Sequence, residues 1–190
     1  MSTTNFSGKS GFNFKHLIIA LIIVVAVLIL FFTPREERER RAPVLAGFEA
    51  PDFELLEISI GEESSGKIWR LSELKGKVVF INFWATWCRE CTYEKPYQQR
   101  LYEKMQGRPF TMLTILYWDE VKRAVEFMKM NGYTMPVLYD GDIEVARKYG
   151  IRGVPETFII GKDGIVKKKV IGSKQWDSPE IVGLIEKWLQ

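Results

Sequence analysis

An α/β domain, one central sheet with helices packed on it, is the fold class this sequence predicts, and three observations predict it. Apolar runs of strand length alternate with segments of helical periodicity from Val78 to Leu189. The two cysteines of the chain, Cys88 and Cys91, lie where a strand-like run gives way to a helix-like one. One wholly apolar segment, Leu17 to Phe32, stands apart from the rest behind a charged stretch. At 190 residues the chain has room for one domain plus accessories.

Residues 1–15 are polar and are expected as a short cytoplasmic tail. Residues 16–33 are expected as a transmembrane signal anchor. Its core, Leu17 to Phe32, is sixteen apolar residues, just under the ~17–25 that span a bilayer, and Phe12, Phe14 and Thr33 extend it toward the interfaces. A cleaved signal peptide places small residues directly after its apolar core; Phe31-Phe32-Thr33-Pro34-Arg35 stands there instead. Lys9 and Lys15 precede the segment, whereas Arg35, Arg38, Arg40 and Arg41 follow it. That count alone would put the C-terminal side in the cytoplasm. Residues 34–47, with alternating charge from Arg35 to Arg41, read as a linker.

Residues 48–190 hold the domain. Phe53–Ile60 and Lys67–Arg70 are expected as short strands joined by a turn over Gly61 to Gly66, and Ser72 as the cap of a short turn ending at Gly76. Val78–Trp84, apolar and β-branched but for Asn82, reads as the buried central strand. Cys88–Gln106 reads as a helix kinked by Pro96, with Gly107 past its end. Phe110–Tyr117 is a strand. In Val121–Met130 the positions Val121, Ala124, Val125 and Met128 fall at helical spacing, and Asn131-Gly132 ends it. Met135–Tyr139 is a short strand and Ile143–Tyr149 a helix closed by Gly150. Thr157–Ile160 and Ile165–Ile171 form a hairpin, and Pro179–Leu189 is the final helix.

Cysteines at Cys-x-x-Cys spacing close a small ring or open one in another protein. A zinc site has no support, with no second cysteine pair and His16 far away. Nucleic-acid binding has none either: the net charge is +3 and the basic residues are scattered. At a helix start the positive end of the dipole favours a thiolate. Cys88 is therefore expected as the accessible attacking thiol and Cys91, one turn inside, as the buried resolving thiol. Attack by Cys88 on a substrate disulfide gives a mixed disulfide, which Cys91 releases. No cofactor is expected beyond this redox-active pair. Arg89 would stabilise a nearby thiolate and Glu90 would oppose it, so oxidant and reductant both stay open on these residues. Trp84, Trp69, Trp118 and Trp176 read as packing residues, and Lys167-Lys168-Lys169 as a solvated strand edge.

Strand, then Trp87-Cys88-Arg89-Glu90-Cys91, then helix, with Gly153-Val154-Pro155-Glu156-Thr157-Phe158 downstream, resembles the active-site and cis-proline signatures of the thioredoxin superfamily. Ala50-Pro51-Asp52-Phe53, Trp84-Ala85-Thr86-Trp87-Cys88, Glu94 and Pro155-Glu156-Thr157-Phe158 resemble its membrane-anchored, extracytoplasmic TlpA/ResA/DsbE (CcmG) group, from about Phe48 to Gln190. The resemblance implies a thioredoxin-like fold: a central mixed sheet flanked by helices, with an N-terminal β-hairpin extension and an insertion near Met135 to Tyr149. It implies that Glu94 tunes the cysteines and serves as base, since Asn82 stands where cytoplasmic thioredoxins carry an acid. It implies that Pro155 is cis and sets the Val154 backbone opposite Cys88 to pair with an extended substrate. Glu156 is implied in the substrate groove, and Trp87 as an exposed contact beside Cys88.

Against the charge count, the resemblance places the domain on the extracytoplasmic or periplasmic side of the cytoplasmic (inner) membrane, held by a single span. The implied enzyme is a thiol-disulfide oxidoreductase, a protein-disulfide reductase acting on the Cys-x-x-Cys-His of apocytochrome c during cytochrome c maturation. A membrane thiol-disulfide electron donor would re-reduce it. The alternatives are thiol-disulfide exchange with other envelope proteins, a thiol peroxidase, and a disulfide-stabilised binding module. The peroxidase fits less well, because Thr86 lies two residues before Cys88 where a peroxidatic site has Thr-x-x-Cys.

Overall fold

The computed structural model describes residues 14–32, 44–60 and 66–190. The expected tail to residue 13, the linker from 34 to 43 and the turn at 61–65 lie outside the described residues. The chain divides into two units, Met1–Glu39 and Arg40–Gln190. The first contains α1 (Phe14–Phe32), 19 residues, or ~28 Å at ~1.5 Å per residue. Its side chains from Leu17 to Ile29 include eleven exposed aliphatic residues between 41% and 63% accessible. Among the described residues no helix is long and apolar enough to cross a membrane.

The second unit runs β1 (Glu54–Glu57), β2 (Ile68–Arg70), a 3₁₀ turn (Leu71–Leu74), β3 (Val78–Trp84), α2 (Arg89–Lys104), β4 (Phe110–Leu116), α3 (Val121–Met130), β5 (Val137–Tyr139), α4 (Glu144–Lys148), β6 (Glu156–Ile160), β7 (Val166–Ile171) and α5 (Pro179–Leu189). One mixed sheet has the order β2-β1-β5-β4-β3-β6-β7. β3, β4 and β5 are parallel neighbours, while β6 runs antiparallel to β3 and β7 antiparallel to β6. The expected N-terminal hairpin is present as β1 and β2, and β1 also pairs antiparallel with β5.

The two faces of β3 build two cores. Phe80 and Trp84 join Leu101, Met105, Ala124, Met128, Trp176, Val182 and Ile185 on one side. Val79, Ile81 and Phe83 join Leu113, Ile115, Leu138, Tyr149 and Phe158 on the other. Side chains alternate along a strand, so Asn82 faces the same way as Phe80 and Trp84, toward α2 and α5. Phe80 and Trp176 meet edge to face there, with centroids 4.8 Å apart, an arrangement worth ~0.5–1.5 kcal/mol beyond burial.

Two local expectations change. Ser72 caps nothing; its N–H donates to Asp52 Oδ1 at 2.9 Å, as does that of Phe53. Asp52 thus ties the domain entry to the 3₁₀ turn. β1 stops at Glu57, after which Ile58 N–H makes a bond to Val137 O, far short of a strand reaching Ile60.

Candidate active site

The turn after β3 is pinned from α3's side of the sheet. Thr86 donates both its N–H and its hydroxyl to Asp119 Oδ2, each at 2.6 Å. The Asp119 side chain is 0% exposed, and its Oδ1 accepts from Glu120 N–H at 2.8 Å. The Thr86 hydroxyl is therefore committed to Asp119 and not to Cys88. Trp87 is 56% exposed and its indole N–H donates to Trp118 O at 3.0 Å. Trp118, expected as packing, is 74% exposed with φ 51°, and its ring meets that of Tyr117.

Cys88 caps α2. Its sulfur accepts the Cys91 N–H at 3.1 Å, the arrangement by which a helix start stabilises a thiolate. Cys88 and Cys91 are disulfide-bonded, with Cα atoms 5.2 Å apart. Cys91 is 0% exposed, as a resolving thiol should be, but Cys88 is only 7% exposed, less open than expected. The cis-proline loop is what covers it: Val154–Pro155 is cis, and Val154 O lies 3.4 Å from Cys88 Sγ. Beside this loop runs an open groove of about 640 Å³, lined by Leu45, Glu90, Val154, Pro155, Glu156 and Ile171 among others. Ile171 is 74% exposed there.

Glu156 sits at the groove base, 4% exposed. Its Oε1 accepts from Arg152 N–H at 3.2 Å. Its Oε2 is 2.8 Å from Lys169 Nζ, an ion pair outside hydrogen-bond alignment. The Lys169 side chain is 13% exposed. Lys169 thus departs from the expected solvated edge, because β7 turns it inward toward Glu156 and the Phe158 ring. Lys168 stays exposed.

Glu94 is wholly buried and saturated. Oε1 accepts from Asn82 Nδ2 at 2.9 Å and Gln98 Nε2 at 2.8 Å. Oε2 accepts from Trp176 Nε1 at 2.7 Å and Lys174 N–H at 3.2 Å. Burial pushes its carboxyl above the ordinary range; the Trp176 hydrogen bond and the Lys95 charge pull the other way and do not cancel it. Lys95, the next residue, is buried too; desolvation pulls its ammonium down to about 7, against the opposing effect of Glu94.

The structure thus brings Trp87, Cys88, Val154, Pro155 and Glu156 together around the disulfide, with Cys91 and Glu94 buried beneath them. Lys95, Gln98, Trp176 and Asp119 were missed as site residues. A signal for the first two lay in the sequence: Cys91, Glu94, Lys95 and Gln98 share one helix face, and a face that is buried at Cys91 should not carry three polar residues without a reason. Among the described residues, no group of three or more His, Cys, Asp and Glu side chains converges as a metal set.

Residues 46–169 match the AhpC/TSA family. The chain belongs to that family. It is 35% identical over 133 residues to the thiol-disulfide oxidoreductase ResA of Geobacillus thermodenitrificans, covering 70% of this chain and 73% of that protein. A thiol:disulfide interchange protein of the thioredoxin family from Chlorobium tepidum superposes with TM-score 0.63 at 28% identity, over 78% of this chain and 98% of that one. The exposed lipoprotein thioredoxin Etrx1 of Streptococcus pneumoniae superposes with TM-score 0.60 at 28% identity, over 72% and 99%. With a Cys-x-x-Cys pair closed as a disulfide at a helix start, this AhpC/TSA family member is a thiol-disulfide oxidoreductase, and proteins with cysteines are its substrates.

Proposed function

We propose that the protein is a membrane-tethered, extracytoplasmic disulfide reductase whose substrate is the Cys-x-x-Cys-His segment of apocytochrome c. The observation that carries the direction is Glu94, a carboxylate sealed one helical turn past Cys91. A buried acid there disfavours further negative charge on the sulfurs. The strongest oxidants of this chemistry owe their potential to a stabilised reduced form, which such a carboxylate works against. Cys88 attacks the substrate disulfide, Cys91 displaces the mixed disulfide, and the electron pair leaves with the substrate sulfur. The groove beside Val154 and Pro155 is suited to an extended segment lying across Cys88.

The tether, the compartment and the electron source belong to this reading. The anchor rests on the sixteen apolar residues of Leu17–Phe32 and on the group resemblance, which also supports a domain outside the cytoplasmic membrane. A membrane thiol-disulfide protein supplies the electrons, and no cofactor beyond Cys88 and Cys91 takes part. The test is the reduction potential, measured by equilibration with glutathione or dithiothreitol, together with reduction of an oxidised Cys-x-x-Cys-His peptide. A potential near or below about −270 mV with turnover of the peptide is expected; a value near about −120 mV would overturn the reductase and leave disulfide donation.

A further inference from the structure

Cys91, Glu94, Lys95 and Gln98 recur at helical spacing along α2, and all are 0% exposed. Core packing does not explain a lysine there. An ammonium taken out of water costs several kcal/mol unless it is compensated, and methionine would fill the same space without that cost. The compensation is a closed ring. Lys95 Nζ donates to Asn82 Oδ1 at 3.1 Å and to Gln98 Oε1 at 3.0 Å. The amide nitrogens of those same side chains donate to Glu94 Oε1. Two amides, oriented alike, therefore stand between a cation and a carboxylate. Trp84 offers its ring to Lys95 Nζ, 4.0 Å from the centroid.

Glu94 is the charged side chain that acts on Lys95. The other groups around the ring are uncharged: Asn82 and Trp84 from β3, Gln98 and Cys91 from α2, Thr157 from β6, which accepts from Asn82, and Trp176 ahead of α5. Lys174 contributes its backbone N–H, to Glu94.

We propose that Lys95 is a positioning residue of thiol-disulfide exchange, acting on Cys91 through the ring of Asn82, Gln98 and Glu94. Resolution of the mixed disulfide requires the Cys91 thiol to lose its proton. The thiolate forms the Cys91–Cys88 bond while the bond from Cys88 to the substrate sulfur breaks, and the substrate thiolate takes a proton from solvent. Glu94, one turn along the same helix face, receives the Cys91 proton in place of its longest hydrogen bond, that from Lys174 N–H at 3.2 Å, and returns it to solvent. Lys95 keeps Glu94 in its proton-accepting form, by opposing charge and by fixing both amide NH₂ groups toward it. The inference rests on the thiol-disulfide chemistry and not on the direction or substrate proposed above.

Full-length protein in its reduced form is mixed with a small aromatic disulfide, dithiobis(nitrobenzoate), from about pH 5 to 9. The first aromatic thiolate reports attack by Cys88 and the second reports resolution by Cys91. In Lys95→Met the acid limb of the second phase moves up by about one pH unit, a tenfold slowing on that limb, while the first phase keeps its profile. Glu94→Gln removes the limb, and Lys95→Met added to it slows resolution no further. A second phase that superimposes on wild type in Lys95→Met, with or without loss of stability, overturns the proposal, as does further slowing in the double variant. Lys95→Gln takes the place of the Met variant should that chain not fold, and is judged by the same profile.

Discussion

Glu94 and Glu156 stand on two sides of the same disulfide, both within 4% of full burial, and they are neutralised by different means. Glu156 faces a lysine ammonium directly, 2.8 Å away at the base of an open groove. Glu94 reaches its lysine only through two amides, and an indole and a backbone N–H occupy its other oxygen. A direct pair at a groove is a fixed feature of a surface that a substrate meets. A mediated pair in a sealed core keeps both partners away from their ordinary ionisation, the carboxyl pushed up and the ammonium pulled down. Burial alone does not make a carboxylate reactive; what lies between it and its countercharge decides.

The strongest way to break this comparison is to delete each carboxylate. Glu94→Ala leaves the Gln98 amide and the Trp176 indole N–H buried without their acceptor, and the Lys95 ammonium without its countercharge. Losing one partner of a buried charge pair costs ~3–5 kcal/mol, which urea unfolding of the oxidised protein should show. Glu156→Ala should cost about 1 kcal/mol by the same measurement, because Lys169 can carry its head to the groove on its flexible stem. Equal losses would mean that the two sites are compensated alike.

A second test uses pH. The ammonium of Lys95 is depressed from 10.5 to about 7 in the folded state. Between those values the unfolded chain binds the proton and the folded one does not, so stability rises with pH across the window. It is lost as pH falls through about 7. Glu94 runs oppositely: its raised carboxyl gives stability that is present below 4.5 and fades as pH climbs above it. Lys95→Met should flatten the slope above neutrality and carry the Glu94 slope to higher pH, because the lysine no longer lowers the carboxyl. A wild-type slope that persists in Lys95→Met would assign it to another group.

These tests bear on a part of the site that the sequence showed poorly. β3, α3 and α5 fall where strand and helix periodicity put them, at Val78–Trp84, Val121–Met130 and Pro179–Leu189. Each has a long apolar pattern and clear punctuation, and the Cys-x-x-Cys and cis-proline segments are contiguous in the chain. The ring is not contiguous. Asn82 and Glu94 are 12 residues apart, and Trp176 is 82 from Glu94, so only the folded sheet brings them together. Trp176 looked like packing because an indole packs and donates at once. Lys95 looked like any surface lysine because one residue's burial is not written in its type. Asp119 was hidden in the same way: its partner Thr86 lies 33 residues upstream.

Asp119 supplies the next effect down in size. Asp119→Ala removes the acceptor of two short bonds that hold the turn before Cys88. Each is a hydrogen bond to a charged group, worth ~1.5–3 kcal/mol net when both partners are buried. Thr86 is only partly buried and can turn to water, so about 1–2 kcal/mol in urea unfolding is expected. Attack by Cys88 should slow with it, since Trp87 and Cys88 follow directly on the loosened turn, whereas the proton chemistry beneath Cys91 should keep its pH profile.

Glu156→Gln should give the smallest effect and the sharpest contrast. It keeps the side chain's shape and its acceptor for Arg152 N–H, but it leaves Lys169 uncompensated and makes the groove more positive by one charge. The groove is open to solvent, so the change is screened and should amount to ~0.5–1 kcal/mol. That predicts a KM about two- to fivefold higher for disulfide peptides with basic residues beside the cysteines, and lower by a similar factor for acidic ones. kcat and the reduction potential should stay at their wild-type values, because the partners of Glu156 are Arg152 and Lys169 and not the sulfurs. Glu94→Gln should do the reverse, moving potential and pH profile while leaving KM alone. If Glu156→Gln shifts the potential, the division between a carboxylate that meets substrate and one that serves the sulfurs does not hold.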